Sequence, residues 1–295
     1  MQDKPANAVL IVGCGDIGRR VAKRLQAGDR LVTGVVRSAA SAERLQHTGV
    51  RALRVDLDSA TQPDDWTGGV HEVFYFAPPP PDGETDPRMR RFLRQLDSGS
   101  VPRRIVYIST SAVYGDCNGA WITEAQPVKP TTARGQRRLD AEQQLRRWAG
   151  AHKTSVVILR VPGIYGPGKL PLSRLQKGWP VLREADAPWT NRIHADDLAM
   201  ICIAAMEAAT PDVIYNVSDG RPSNMTDYFI RVADAAGLPR PPEVDRAEAE
   251  QVLSPGMLSF LKDSRRMRND KLLRELGITL QYPDLAAGLK FCFKD

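Results

Sequence analysis

An α/β chain built on a doubly wound parallel sheet, with a smaller C-terminal lobe, is the fold class this sequence predicts. Three features predict it. Short apolar runs alternate with segments of helical period through the first 160 residues. The runs VYIST and SVVILRV are apolar almost throughout, as strands covered on both faces are. A glycine pattern, Gly13-x-Gly15-x-x-Gly18, stands where the first run gives way to the first helix.

In chain order, AVLIVG reads as a strand, IGRRVAKRLQAG as an amphipathic helix, RLVTGVV as a strand and SAERLQHTG as a helix. VRALRVDL and HEVFYFA follow as strands, RMRRFLRQLDSG as a helix, RIVYIST as a strand, then a helix after Pro130 and the strand TSVVILRV. Strands joined by helices imply right-handed crossovers and a parallel sheet. Beyond residue 160 come the loop PGIYGPGKLP, a helix from Asp196 to Ala209, a strand DVIYNVS and helices near Met225–Ala236 and Asn269–Leu276. We expect residues 1–160 to form the main unit, with 190–218 adding to it. Residues 161–189 and 219–295 would form the smaller lobe, with a ligand cleft between the two.

Composition narrows the function. The chain has 295 residues, 42% apolar and 26% charged, an ordinary globular balance. The four cysteines stand apart without metal-ligand spacing, so no metal is expected and a reduced, cytoplasmic setting is. No run is long enough to span a membrane, so no membrane partner is expected. The net charge of +6 is spread over RMRRFLR, Arg103-Arg104, RGQRR, Arg146-Arg147 and SRRMR without interleaved aromatics. We read these as solvated helix surface, with no nucleic-acid partner.

The glycine turn carries the first functional reading. Gly13 makes the tight turn, Gly15 lets backbone approach a pyrophosphate, and Gly18 lets the helix lie on the strand. Asp16 and Ile17 would hold the anion at the helix N-terminus. A dinucleotide site and a Rossmann fold follow. The second strand ends in Arg37-Ser38 rather than an acid, and an arginine there pairs with a 2′-phosphate, which favours NADP over NAD. Asp56 and Leu57, after the third strand, would edge the adenine.

These residues, with FYFAPPP, RIVYISTSAVYGD, Pro130 followed by Asp140-Ala141-Glu142, LRVPGIYGPG, NRIHADDLA and SRRMRNDKLLRELG, resemble the short-chain dehydrogenase/reductase superfamily. The resemblance is to its extended form, the NAD(P)-dependent epimerase/dehydratase family, many of whose members act on nucleotide-sugars. It implies a catalytic Thr110 at the end of the fifth strand, with Ser111 beside it. It also implies cofactor contacts from Ala77, Pro78 and Pro162, and substrate contacts from Tyr165 and Arg266, with Asn269 in the same C-terminal segment. A Tyr-x-x-x-Lys pair is expected on the next helix, and those positions hold Arg134 and Arg138. The one Tyr-x-x-x-Lys present, Tyr165 to Lys169, is interrupted by glycine and proline and cannot form a helical turn.

Arg134, Arg138, Ala141, Leu145 and Trp148 share a helical stripe of about 80°, so the arginines continue an inward face. Arginine cannot serve as a base, since losing its proton at pH 7 costs roughly 8 kcal/mol. Arg138 could hold ribose hydroxyls, and Arg134 could fork onto a carboxylate, phosphate or polarised carbonyl. Thr110, Tyr114, Tyr165 and His194 are the remaining proton-source candidates, although His194, Asp196 and Asp197 read more simply as structure, the two carboxylates as helix caps. Two readings stay open. One is an atypical oxidoreductase or epimerase-like enzyme acting on an anionic small molecule. The other is an NADP(H)-binding sensor without turnover. Either is compatible with a homodimer.

Overall fold

The computed structural model describes residues 8–61, 63, 65–99 and 101–293. Seven strands make the main sheet: β1 (Ala8–Val12), β2 (Leu31–Val36), β3 (Arg51–Arg54), β4 (Glu72–Tyr75), β5 (Arg104–Thr110), β6 (Ser155–Val161) and β7 (Val213–Asn216). All neighbouring pairs run parallel, in the order β7-β6-β5-β4-β1-β2-β3. Chain order therefore reverses between β1 and β4, which opens a crevice at their C-terminal ends. The strand DVIYNVS is β7 and closes one edge of this sheet.

The helices that cover the sheet include α1 (Asp16–Gln26), α2 (Ala39–Gln46), α3 (Pro87–Ser98), α4 (Ala133–His152) and α5 (Ala195–Glu207), while α6 (Met225–Ala235) packs beyond the sheet's C-terminal end. Period-2 alternation sends Val9 and Ile11 of β1 to one face and Leu10 and Val12 to the other. On the first face they meet Ile17, Val21 and Leu25 of α1 and Leu198, Ile201 and Cys202 of α5. On the second they meet Phe92 and Leu96 of α3 and Ala141, Leu145 and Trp148 of α4. Each such side chain contributes about 1.5–3 kcal/mol by leaving water.

Over the C-terminal edge of the sheet lie short paired strands. Gly163–Tyr165 runs beside Arg192–His194, Trp189–Thr190 beside Ser223–Asn224, and Trp121–Ile122 beside Arg266–Met267. Two smaller apolar clusters support them, one around Tyr165, Tyr228 and Leu289 and one around Leu182, Val244 and Leu261. Sequence reasoning missed the helices Arg246–Val252, Pro255–Phe260 and Leu285–Cys292 here. They are short, and their apolar residues pack against these clusters rather than forming a long stripe.

The expected solvated basic surface is corrected in part. Arg88, Arg104, Arg137 and Arg265 are buried. Arg104 reaches the carbonyls of Met206 and Ala208 at the end of α5, where the helix dipole and unpaired carbonyls favour a cation. Among the described residues no helix is long and apolar enough to cross a membrane, and no cluster of metal-ligating side chains occurs.

Candidate functional site

The glycine turn folds as its sequence suggests. Gly13 has φ +82°, and a Cβ there would lie 2.4 Å from the Ala77 amide nitrogen, so no other residue fits between β1 and the end of β4. The Gly13 and Cys14 amides donate to Val35 O at 3.0 and 2.9 Å, tying the turn to β2. Gly18 lies against Ile11 and Cys14, where a Cβ would come within 3.1 Å of both.

Helix α1 begins at Gly15 without a side-chain cap. Helices α2 to α6 are each capped, by Ser38, Asp86, Thr132, His194 and Asn224 in turn. The first-turn N–H groups of α1 are thus left for a ligand, and the space above Gly15 is open. These features fit a dinucleotide pyrophosphate. Burial raises the Asp16 pKa, but Lys169 at 3.1 Å and Arg20 at 3.3 Å outweigh it and hold the carboxyl below its usual range. Arg37 is exposed at the end of β2, Ser38 caps α2, Asp56 is exposed and Leu57 is buried.

Next to the turn, a cavity of about 490 Å³ opens at the C-terminal ends of β5 and β6. Its wall brings together Pro78, Thr110, Ser111, Arg134, Arg138 and Pro162, six of the residues singled out by sequence. Thr110 Oγ1 accepts from the Ala112 amide at 3.3 Å, which turns the chain inward after β5. The proline loop is pinned by Arg88, which donates to Pro78 O at 2.8 Å and Pro79 O at 3.2 Å and forks onto Asp58.

Helix α4 supplies three cations. The Arg134 guanidinium lies 4.1 Å from the Phe260 ring centroid, and its Nε is buried with no partner. Burial lowers the Arg134 pKa, against the pull of Asp263. Arg138 donates to Ile108 O at 2.9 Å and to Tyr107 OH at 3.3 Å. Arg137, which the helical stripe did not single out, is also buried in this wall, bonded to Gly83 O with its own Nε unpartnered. The far wall comes from Trp189, Arg192, Tyr228, Phe260, Asp263 and Arg265, none of which the sequence marked. The available signal lay in NRIH and SRRMR. Alternation along the short strand turns Arg265 and Met267 inward and Arg266 away.

Several expected site residues stand elsewhere. Tyr114 is buried in the core, its hydroxyl donating to Asn216 Oδ1 at 2.7 Å, and burial pushes its pKa up. Tyr165 is fully buried, donates to Asp284 O at 3.1 Å and does not reach the cavity wall. Arg266 donates to Gly119 O at 2.6 Å and lies over Trp189, outside the cavity. Asn269 is buried on Ser218 O. His194 rather than the two aspartates caps α5, accepting from the Asp196 amide at 3.3 Å. Burial brings the His194 pKa down to about 4, so the ring is neutral near pH 7. Asp196 pairs with Arg20, and Asp197 accepts from the Gln281 and Tyr282 amides.

Known proteins resemble this chain in sequence or in fold. Protein YeeZ of Escherichia coli K12 is 28% identical over 287 residues, spanning 94% of this chain and 96% of its own. The structure of a functionally unknown conserved protein from Silicibacter pomeroyi superposes with a TM-score of 0.85 at 33% identity, covering 97% of this chain and 98% of that one. MoeE5 in complex with UDP-glucose and NAD gives a TM-score of 0.75 at 23% identity, covering 96% of each chain, a likeness of fold. The model of the NAD dependent epimerase/dehydratase family matches residues 9–218, which hold the glycine turn, the whole main sheet but its first residue, and most of the residues lining the cavity. On that match, with the turn and sheet order that it covers, the chain belongs to the NAD dependent epimerase/dehydratase family.

Proposed function

We propose that the protein is an NADP-preferring oxidoreductase or epimerase-like enzyme that acts on an anionic small molecule without a tyrosine–lysine proton relay. The observation that carries this reading is the grouping of Thr110, Ser111, Arg134 and Arg138 in one cavity wall beside the glycine turn. A bound nicotinamide would supply the hydride chemistry. The first turn of α1 would hold the pyrophosphate, Arg37 the 2′-phosphate, and Arg138 the neighbouring ribose.

Arg134 stands at the family's tyrosine position and keeps its proton at neutral pH, so its part is to grip and orient charge. Thr110 and Ser111 bring hydroxyls to the same wall, and Thr190, Tyr228 and Ser259 bring three more to the cavity. Losing general acid/base help costs about 10²–10⁴ in rate, which leaves room for turnover by positioning alone. The same pair of arginines supports a second reading, an NADP(H)-binding sensor without turnover.

Fluorescence titration of NADPH and NADH separates these claims. We expect NADPH to bind at least tenfold tighter, with Arg37→Ala removing the preference. Equal or reversed affinities in the unaltered protein would end the assignment of Arg37. Turnover of any carbonyl or nucleotide-sugar substrate in a screening panel would favour the enzyme over the sensor.

A further inference from the structure

The cavity wall holds five arginines, Arg134, Arg137, Arg138, Arg192 and Arg265, and one carboxylate, Asp263. Asp263 is already engaged, 3.3 Å from Arg265 and accepting from Thr131 Oγ1 at 2.7 Å. Among the described residues the other four arginines have no salt-bridge partner. Unpaired cations around one space are costly unless something negative joins them.

They fall into two groups. Arg134, Arg137 and Arg138 share the start of α4, and Arg134 feels Arg265, Arg138 and Arg137 as like charges. Arg192 stands apart on the strand Arg192–His194, with Tyr228 and Asp219 as its charged or titratable surroundings. Its seat is built. The guanidinium lies 4.2 Å from the Tyr228 ring centroid and donates to Asn191 O at 2.8 Å. On the side of Gly163, a Cβ would come 3.0 Å from Nη1 and 3.1 Å from Cδ, so the glycine leaves room for the arginine to lie flat. At the α4 group, Arg137 is 7% exposed and its Nε has no partner, as is true of the buried Arg134 Nε.

We infer that the cavity takes a small molecule bearing two separated anionic groups, one held by Arg134 and Arg137 and the other by Arg192, with Arg138 left to the cofactor ribose. This deepens the proposed function and rests on it for the cavity's being the substrate site. The groups are carboxylate or phosphate-like, since a guanidinium forks onto either. A ligand with one anionic group would leave one set of cations uncompensated.

Calorimetric titration at fixed ionic strength, with and without NADPH, tests this with defined probes. The probes are butyrate, the linear dicarboxylates from malonate to adipate, 3-phosphonopropionate, and UDP-glucose. The best two-headed probe is expected to bind at least tenfold tighter than butyrate, and the choice between dicarboxylate and phosphonate identifies the second head. Arg192→Gln should remove that excess, whereas Arg134→Gln should weaken butyrate as well. Gly163→Ala keeps Arg192 but crowds it, and should lower two-headed affinity several-fold in a protein that still melts cooperatively.

Dicarboxylates and phosphonopropionate binding no tighter than butyrate would overturn the inference. So would an excess that survives Arg192→Gln and Gly163→Ala, or UDP-glucose binding that depends on Arg192 and not on Arg134. Tight NADPH binding without two-headed selectivity ends this inference and leaves the proposed function standing. Two-headed selectivity in a protein that does not bind NADPH does the reverse.

Discussion

Arg160 and Glu142 form a doubly bonded ion pair in the core, Nη2 to Oε2 at 2.7 Å and Nε to Oε1 at 3.2 Å, with neither residue more than 4% exposed. Ser109 Oγ donates to the same carboxylate at 2.5 Å, and the Arg160 guanidinium lies 4.8 Å from the Tyr114 ring centroid. The pair joins β6, β5 and α4, and so fixes the helix whose first turns carry Arg134 and Arg138.

Removing one partner strands a buried charge, so Glu142→Leu is expected to cost about 3–5 kcal/mol. The double change Glu142→Leu with Arg160→Met should restore most of that loss, because no charge is then left unpaired. Urea denaturation of both variants checks this. A double variant no more stable than the single one would contradict the compensation argument.

Tyr114 makes a structural hydrogen bond to Asn216 and does not line the cavity. Tyr114→Phe should therefore cost about 1–2 kcal/mol of stability and change NADPH affinity less than twofold. Were the hydroxyl a proton donor, turnover would fall by about 10²–10⁴. Parallel melting and steady-state measurements distinguish the two.

Burial pushes the Asp219 carboxyl up to about 7, with Arg192 and the Arg221 amide opposing and Asp284 reinforcing. Its folded value exceeds the unfolded one of about 4, so the folded state binds this proton more tightly. The resulting stabilisation is present below about pH 4 and is lost as the pH rises through 7, an effect of up to about 4 kcal/mol. His194 runs oppositely: its value of about 4 lies below the unfolded one, so its contribution is present above about pH 6.5 and lost as the pH falls through 4. The difference between Asp219→Asn and the unaltered protein cancels the His194 slope. The variant should gain relative stability from pH 5 to pH 8 in urea titrations, and a constant difference would refute the assignment.

The sequence alone determined the sheet and its crossovers, because periodicity and turn chemistry are written in adjacent residues. It likewise determined the fit of the glycine turn, since Gly13 and Gly18 are required by contacts with elements that any such crossover brings near. It located Arg134 and Arg138 on the inward side of α4 from the helical stripe alone. Its expectation for Tyr114 and Tyr165 came from position in a motif, and burial on Asn216 and Asp284 is invisible at that level.

Tertiary structure decided the rest. Arg265 meets Gly115 O across 150 residues of chain, and Phe260 comes under Arg134 from a short helix with no strong period. Arg192 is seated in the cavity wall by a glycine, a tyrosine and a carbonyl, only one of which is its neighbour in sequence. Local pattern specifies which face of an element is buried, whereas the wall of a cavity is set by which distant faces meet, and that depends on the packing of the whole chain.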